Sequence, residues 1–180
     1  MIIRPFTEAD LAAVTAIYAD SVLHGTGTFE LDVPSAEGMK SRLAAPVALG
    51  LPVLIAEIDG QVAGYAYAGP YRLRAAYRFM VEDSIYVSEA FRGRGVGKAL
   101  LDALLGACEA LGMRQMVAVI GDSANAGSIA LHAAAGFERV GVFHAAGWKF
   151  DAWRDVVFMQ KGLGLGETAA PDAPGLDCGR

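Results

Sequence analysis

Val87-Ser88-Glu89-Ala90-Phe91-Arg92-Gly93-Arg94-Gly95-Val96-Gly97-Lys98-Ala99-Leu100-Leu101 joins a β-rich run to a helical pattern through closely spaced glycines and cations. Glycine at 93, 95 and 97 lets the backbone approach an anion closely and take positive φ. A helix starting near Val96 aims its free N–H groups and the positive end of its dipole at the same point. The residues read as a pyrophosphate cradle; taken alone, they also allow a glycine-rich turn that only joins a strand to a helix. A Walker loop is excluded, because counting back from Gly97-Lys98 puts Arg92 at its first glycine and Ala99 at its metal-binding hydroxyl. A dinucleotide fingerprint fits poorly, since the third glycine comes early and the turn lies mid-chain.

Working outward, Met80 to Val87 predicts the strand that feeds this turn. Val96 to Leu111 predicts the helix that leaves it, with Leu100, Leu101, Leu104 and Leu105 on one side and Gly112 just past the end. The almost wholly apolar Met116-Val117-Ala118-Val119-Ile120 predicts a strand buried on both faces. Asn125 to Ala135 reads as a helix stopped by Gly136, and Glu138 to Phe143 and Trp153 to Lys161 as closing strands. Toward the N-terminus, a short strand at Ile2 to Arg4 precedes Thr7-Glu8-Ala9-Asp10, a capping-box-like start. The helix it opens carries Leu11, Val14, Ile17 and Tyr18 and ends near Gly25. Ser35 is an N-cap for a short helix ending before Pro46. Val53 to Ile58 and Gln61 to Ala68 form a hairpin around Asp59-Gly60, a pair that tolerates the positive φ of a two-residue turn. This order predicts an α/β (α+β) fold, a mixed sheet with helices on both faces.

A chain of 180 residues that is 54% hydrophobic suits one domain with a full core. A net charge of −5 and a pI near 5.1 argue against a nucleic-acid surface, so the cations act as local clusters: Arg92, Arg94 and Lys98, and Arg72, Arg74 and Arg78. The uncharged, largely apolar stretch Leu43 to Ala56 has 14 residues and contains Pro46 and Pro52. That is short of the roughly 20 apolar residues a membrane span needs, and no membrane partner is expected. The start shows no signal-peptide pattern, and the cytoplasm is the expected compartment. Cys108 and Cys178 read as reduced thiols without a site role, and His24, His132 and His144 are too scattered to suggest a metal centre. Beyond Gly162 glycine and proline rise and apolar residues thin out; residues 164–180 are expected to be a disordered tail on a single domain, 1–163.

Arg92-Gly93-Arg94-Gly95-Val96-Gly97 also fits Arg/Gln-x-x-Gly-x-Gly/Ala, and so resembles the coenzyme A loop of the GCN5-related N-acetyltransferases (GNAT). Ala66 to Arg72, Ala76-Tyr77 and Val81 to Ser88 resemble the phosphinothricin and methionine-sulfoximine N-acetyltransferase branch of that superfamily. So do Val117 to Gly121 with Asn125 to His132 and Gly136-Phe137, and Ala145 to Phe150 with Trp153 to Val156. The resemblance implies the GNAT fold, a mixed, mostly antiparallel sheet of about six or seven strands flanked by about four helices.

It further implies acetyl-CoA as co-substrate, with no metal, and site residues by position. The backbone of Ile85, Tyr86 and Val87 would pair with the pantetheine arm like an extra strand. Arg92, Gly93, Arg94, Gly95, Val96, Gly97 and Lys98 would hold the pyrophosphate, while Asn125 and Ser128 touch the arm. Glu82 occupies the position of the proposed catalytic glutamate, where a partly buried carboxylate can take a proton from an ammonium group. From the residues alone it could equally be a strand-end acid, exposed or paired with an arginine. Asp83 competes with it, but strand alternation points Asp83 to the other face. Tyr86 and His132 are candidates for the acid that protonates the departing thiolate, and neither is assigned.

Arg72, Arg74 and Tyr77 match acceptor-binding positions, with Phe29 as a pocket wall. Arginine's planar fork suits carboxylate oxygens, although the cluster could also be a solvated loop face. Arg72 stands where herbicide-inactivating members often carry lysine. The function implied is transfer of acetyl to the α-amino group of a small amino acid or analogue such as phosphinothricin, methionine sulfoximine or methionine sulfone. Acetylation of protein N-termini or lysines and a non-catalytic CoA-binding module are the alternatives. The resemblance also implies a homodimer, with which the apolar residues around Phe143 to Trp153 are compatible.

Overall fold

Turn chemistry and capping set the element boundaries in the computed structural model, which describes residues 1–177. Cys178 and the end of the expected tail, 178–180, lie outside the described residues. The strands are β1 (Ile2–Pro5), β2 (Val53–Ile58), β3 (Gln61–Pro70), β4 (Met80–Val87), β5 (Gln115–Gly121), β6 (Glu138–Lys149) and β7 (Ala152–Gly162). The helices are α1 (Leu11–His24), α2 (Ala36–Ala48), α3 (Val96–Ala110) and α4 (Ala126–Ala134). Thr7 and Asp10 make the capping box ahead of α1, and the Ser35 side chain accepts from the Gly38 N–H at the start of α2. Asp59 and Gly60 take φ of 51° and 76°, the two left-handed residues that close β2 on β3.

The seven strands form one sheet in the order β1-β2-β3-β4-β5-β7-β6, antiparallel throughout except for the parallel pair β4/β5. Alternation along β3 sends Tyr65 to one face and Ala66 to the other. On the Tyr65 face, Val14, Ile17, Tyr18 and Val22 of α1 and Met39 and Leu43 of α2 pack on Val53 and Ile55. On the Ala66 face, Val96, Leu100, Leu101, Leu104 and Cys108 of α3 pack on Ala68, Val81, Met116 and Ala118. Each fully buried large aliphatic side chain contributes about 2 kcal/mol, and the small residues on the second face let α3 sit close to the strands. Among the described residues no helix is long and apolar enough to cross a membrane.

Three details differ from the sequence reading. First, α2 runs through Pro46 to Ala48: the proline lies in the last turn, its ring is buried, and its carbonyl accepts the Leu49 and Leu51 N–H groups. One lost helical bond is offset there by packing. Second, β6 reaches Lys149 rather than Phe143. Its ladder breaks between Phe143 and Gly147 and resumes at Gly147↔Arg154, closing through Phe150 and Asp151, both at φ 52°. A Phe-Asp pair in left-handed conformation gives no turn signal. Third, residues 164–177, whose composition reads as disordered, are placed against the body. The Leu163 N–H donates to the Arg114 carbonyl and the Leu176 N–H to the Arg78 carbonyl, and Leu176 is buried. One leucine in the right place anchors a segment that its average composition would leave free.

Candidate active site

β4 and β5 pair only from Met80↔Gln115 to Asp83↔Ala118. Past Asp83 the two strands separate, and among the described residues β4 keeps β3 as its only strand neighbour through Val87. Residues Ser84 to Val87 therefore turn an unpaired strand edge toward a cleft of about 760 Å³. Its other walls are Ala118 to Gly121 of β5, the 91–97 loop, the first turns of α4 and the Gly25–Thr28 loop after α1.

The glycine loop divides its work unevenly. Gly93 and Gly95 have φ of 73° and 79°, where a side chain would be strained, and Gly95 is the N-cap of α3. Gly97 does not share that conformation, contrary to the expectation that all three glycines would. It lies in the first turn of α3, where a Cβ would come within 3.3 Å of Leu131 Cδ2, so its smallness lets α3 approach α4. The first helical bond of α3 runs from the Ala99 N–H to the Gly95 carbonyl, which leaves the N–H groups of Val96, Gly97 and Lys98 ahead of it. The cationic side chains are engaged elsewhere: Arg92 Nη2 donates to Asp20 (3.2 Å), Arg94 lies over the Phe91 ring (5.1 Å), and Lys98 pairs with Asp102. Arg92 still lines the cleft; Arg94 and Lys98 do not. Across the cleft, the Asn125 side chain accepts from the Ser128 N–H at 3.2 Å and caps α4.

Glu82 sits half-buried where the strands begin to part, paired in register with Gly69 and Val117. Burial pushes its carboxyl above the usual carboxylate range, neighbouring Asp83 adds to the rise, and Arg72 opposes it. Asp83 points to the opposite face, as alternation requires, and is buried. Its Oδ2 lies 3.0 Å from His132 Nε2, while His132 Nδ1 lies 2.8 Å from the Ser128 carbonyl. A carbonyl only accepts, so Nδ1 carries a proton and donates to it. Burial alone would lower the His132 pKa; the hydrogen bond to Asp83, its charge and the Ser128 carbonyl outweigh that and raise it. This pair, 49 residues apart in sequence, also lines the cleft and was not foreseen. The other Asp83 oxygen, Oδ1, has no hydrogen-bond partner among the described residues.

The expected acceptor residues lie beside the cleft rather than on its walls. Arg72, Arg74 and Tyr77 occupy the exposed turn between β3 and β4, with Arg72 over the Tyr71 ring (5.2 Å) and Tyr77 edge-on to Tyr71 (5.5 Å). Phe29 lies against the backbone of Gly147 and Gly121, where Cβ atoms would approach it to 2.5 Å and 3.2 Å. Its loop is fixed by Lys149, a buried lysine missed by the sequence reading, whose Nζ donates to the Thr28 carbonyl at 2.8 Å. Burial pulls the Lys149 pKa down, against the pull of Glu30. Burial pushes the Cys108 thiol up to about 12 and keeps it inert. No cluster of three or more metal-binding side chains occurs among the described residues.

The opened strand edge can take an extended, amide-bearing chain, and the N–H groups at the start of α3 can take an anion beside it. A mixed sheet parted next to a glycine-capped helix, with a half-buried carboxylate at the fork, is the architecture of a CoA-dependent acyltransferase. The chain belongs to the Acetyltransferase (GNAT) family, whose model matches residues 28–137. It is 46% identical to a phosphinothricin N-acetyltransferase of Alcaligenes faecalis, over 94% of this chain and 86% of that protein. It is 40% identical to an L-methionine sulfoximine/L-methionine sulfone acetyltransferase of Salmonella typhimurium, over 96% of this chain and 99% of the relative. A crystal structure of a GNAT phosphinothricin acetyltransferase from Sinorhizobium meliloti in complex with acetyl-CoA superposes with a TM-score of 0.92 at 48% identity, covering 94% of this chain and 92% of that one. The protein is an N-acetyltransferase with the GNAT fold.

Proposed function

We propose that this enzyme transfers acetyl from acetyl-CoA to the α-amino group of a small amino acid or analogue, with methionine sulfoximine, methionine sulfone and phosphinothricin as candidate acceptors. The observation that carries the reading is Glu82, a carboxylate raised by burial at the fork of β4 and β5 and within the electrostatic reach of Arg72. An α-ammonium group cannot attack, because its lone pair is held by a proton at neutral pH. Glu82 takes that proton directly or through a water, and Arg72 and Arg74 hold the acceptor's acidic groups. Acetyl-CoA supplies the activated acyl carbon. Ile85 to Val87 align its amide-bearing arm, Asn125 and Ser128 touch that arm from α4, and the Gly93–Lys98 backbone holds the diphosphate. The acceptors named for the Alcaligenes faecalis and Salmonella typhimurium relatives support this acceptor class.

A homodimer belongs to the same proposal: Phe143, Trp148 and Trp153 of the β6/β7 hairpin are exposed apolar residues. The test is free-thiol release from acetyl-CoA across a panel of amino acids, their sulfoximine and phosphinate analogues, and short peptides. Acceptor-dependent release with methionine sulfoximine, and α-N-acetyl product by mass spectrometry, is the expected result. Release with peptides alone, or with none of the panel, would overturn the reading.

A further inference from the structure

Arg78 belongs to the cationic cluster of the β3–β4 turn, yet the acceptor site leaves it unused. Its guanidinium joins two parts of the chain that are far apart in sequence. Nη1 donates to the Ala75 carbonyl at 3.0 Å, inside the turn that carries Tyr77, and Nε donates to the Pro174 carbonyl at 3.2 Å. The Arg78 carbonyl accepts the Leu176 N–H at 2.8 Å, and the Leu176 side chain, 8% exposed, enters the core on the α3 side of the sheet. Between them Gly175 has φ +75°, and a Cβ there would lie 2.8 Å from both Arg78 Cγ and the Arg78 carbonyl oxygen, and 2.9 Å from Phe79 Cε1. Only glycine lets the chain pass this close.

The turn has little else to hold it. Residues 72–78 are all exposed, and the backbone bonds inside the turn, such as Tyr77 N–H to Arg74 carbonyl at 2.8 Å, fix its shape but not its position. The clasp itself is balanced rather than locked. Docking of residues 170–177 covers Arg114, whose Nη2 donates to the Ala170 carbonyl (3.2 Å) and reaches Asp172 at 3.5 Å, but whose buried Nη1 has no hydrogen-bond partner among the described residues. A guanidinium nitrogen buried and unpaired offsets part of what Leu176 contributes.

We propose that segment 170–177 is a clasp that positions the acceptor-binding turn through Arg78, and so sets the affinity for the acceptor without touching that for acetyl-CoA. The proposal rests on the acceptor role given above to Arg72, Arg74 and Tyr77. Selectivity follows from placement: Arg78 precedes β4, the glycine loop follows it, and the eight residues of β4 hold them roughly 26 Å apart at about 3.3 Å per residue. Arg78, Gly175 and Leu176 are positioning residues, because they act through the turn.

The full chain carrying Gly175→Ala, and separately Leu176→Asp, tests this, with Leu165→Ala at an exposed position ahead of the segment as control. Both test variants are expected to raise KM for methionine sulfoximine about tenfold, with KM for acetyl-CoA held within about twofold. Hydrogen exchange at the Tyr77 and Arg78 amides is expected to quicken while amides of the central strands stay protected. A freed Leu176 amide with unchanged acceptor KM and unchanged exchange at Tyr77 and Arg78 would overturn the clasp. So would a parallel rise in both KM values, or faster exchange throughout the sheet, since either reports general loosening. Should the wild-type chain acetylate no amino-acid analogue, the proposed function fails, and the clasp is still decided by exchange at Tyr77 and Arg78.

Discussion

Glu82 and Asp83 are neighbours in sequence with opposite surroundings, because a strand sends successive side chains to opposite faces. Asp83 is tied to His132 in the core, whereas Glu82 stays half-buried at the fork of the strands, raised by burial and lowered by Arg72. The amide of Glu82→Gln keeps the size of the side chain but cannot take a proton. Turnover should therefore fall by about 10²- to 10⁴-fold while calorimetric affinity for acetyl-CoA stays unchanged. Undiminished turnover at neutral pH would remove Glu82 from the chemistry. The pH profile makes a sharper test. A base works only when deprotonated, so kcat/KM should fall as pH drops through a pKa above the usual glutamate value of about 4.3. Arg72 holds that pKa down, so Arg72→Ala should move this acid limb to higher pH. The amine's own titration gives a second limb at higher pH that both proteins share. An unmoved acid limb would mean that the titrating group is not the carboxylate facing Arg72.

Elements explain why the glycine loop was legible and other parts of the site were not. The strand–loop–helix order around Gly93, Gly95 and α3, the β2/β3 hairpin and the C-terminal glycines of α3 and α4 follow from local chemistry, and local chemistry is what a sequence displays. Gly97 was misread because a glycine required by a neighbouring helix looks the same in sequence as one required by φ. Lys149 under Thr28, and His132 against Asp83, are contacts between segments 121 and 49 residues apart. No local pattern encodes such pairs, and the sequence assigns His132 no role. The division of labour between the glycines can be measured. Gly95→Ala puts a side chain at φ +79° with nothing within 4 Å to clash with, so the substitution acts through backbone strain of about 1 to 2 kcal/mol. Relaxation of that strain turns the first N–H groups of α3, and KM for acetyl-CoA should rise by about tenfold, with the acceptor KM unaffected. Equal loss in both would show that the turn supports the sheet rather than the cofactor end of the cleft.

At the scale of the whole molecule, opening the sheet between β4 and β5 gives up ladder hydrogen bonds, and the stability must come from the two cores and from polar pairs that brace the opening. The Asp83–His132 pair is such a brace, linking β4 to α4 across the cleft. Its pH dependence follows from the direction of the shift. Burial lowers the His132 pKa, but Asp83 and the Ser128 carbonyl raise it further than burial lowers it, so the folded value lies above the unfolded one. A raised histidine contributes in full below its unfolded pKa of about 6.5, and that contribution is lost as pH rises through the folded value. Activity runs the other way, since both Glu82 and the attacking amine must lose protons. The enzyme should thus lose stability over the same alkaline range in which its chemistry speeds up. Asp83→Asn separates the two trends: below the unfolded histidine value it leaves a buried imidazole without its counter-charge and should cost about 3 kcal/mol, whereas at a pH above the raised folded value the cost should be much smaller. Urea unfolding of both proteins at the two pH values measures this. Lys149, lowered by burial, adds its own pH dependence to each protein and cancels in the difference. A pH-independent gap between wild type and variant would mean that no additional proton is bound on folding and that the single imidazole proton sits on Nε2, facing Asp83, rather than on Nδ1.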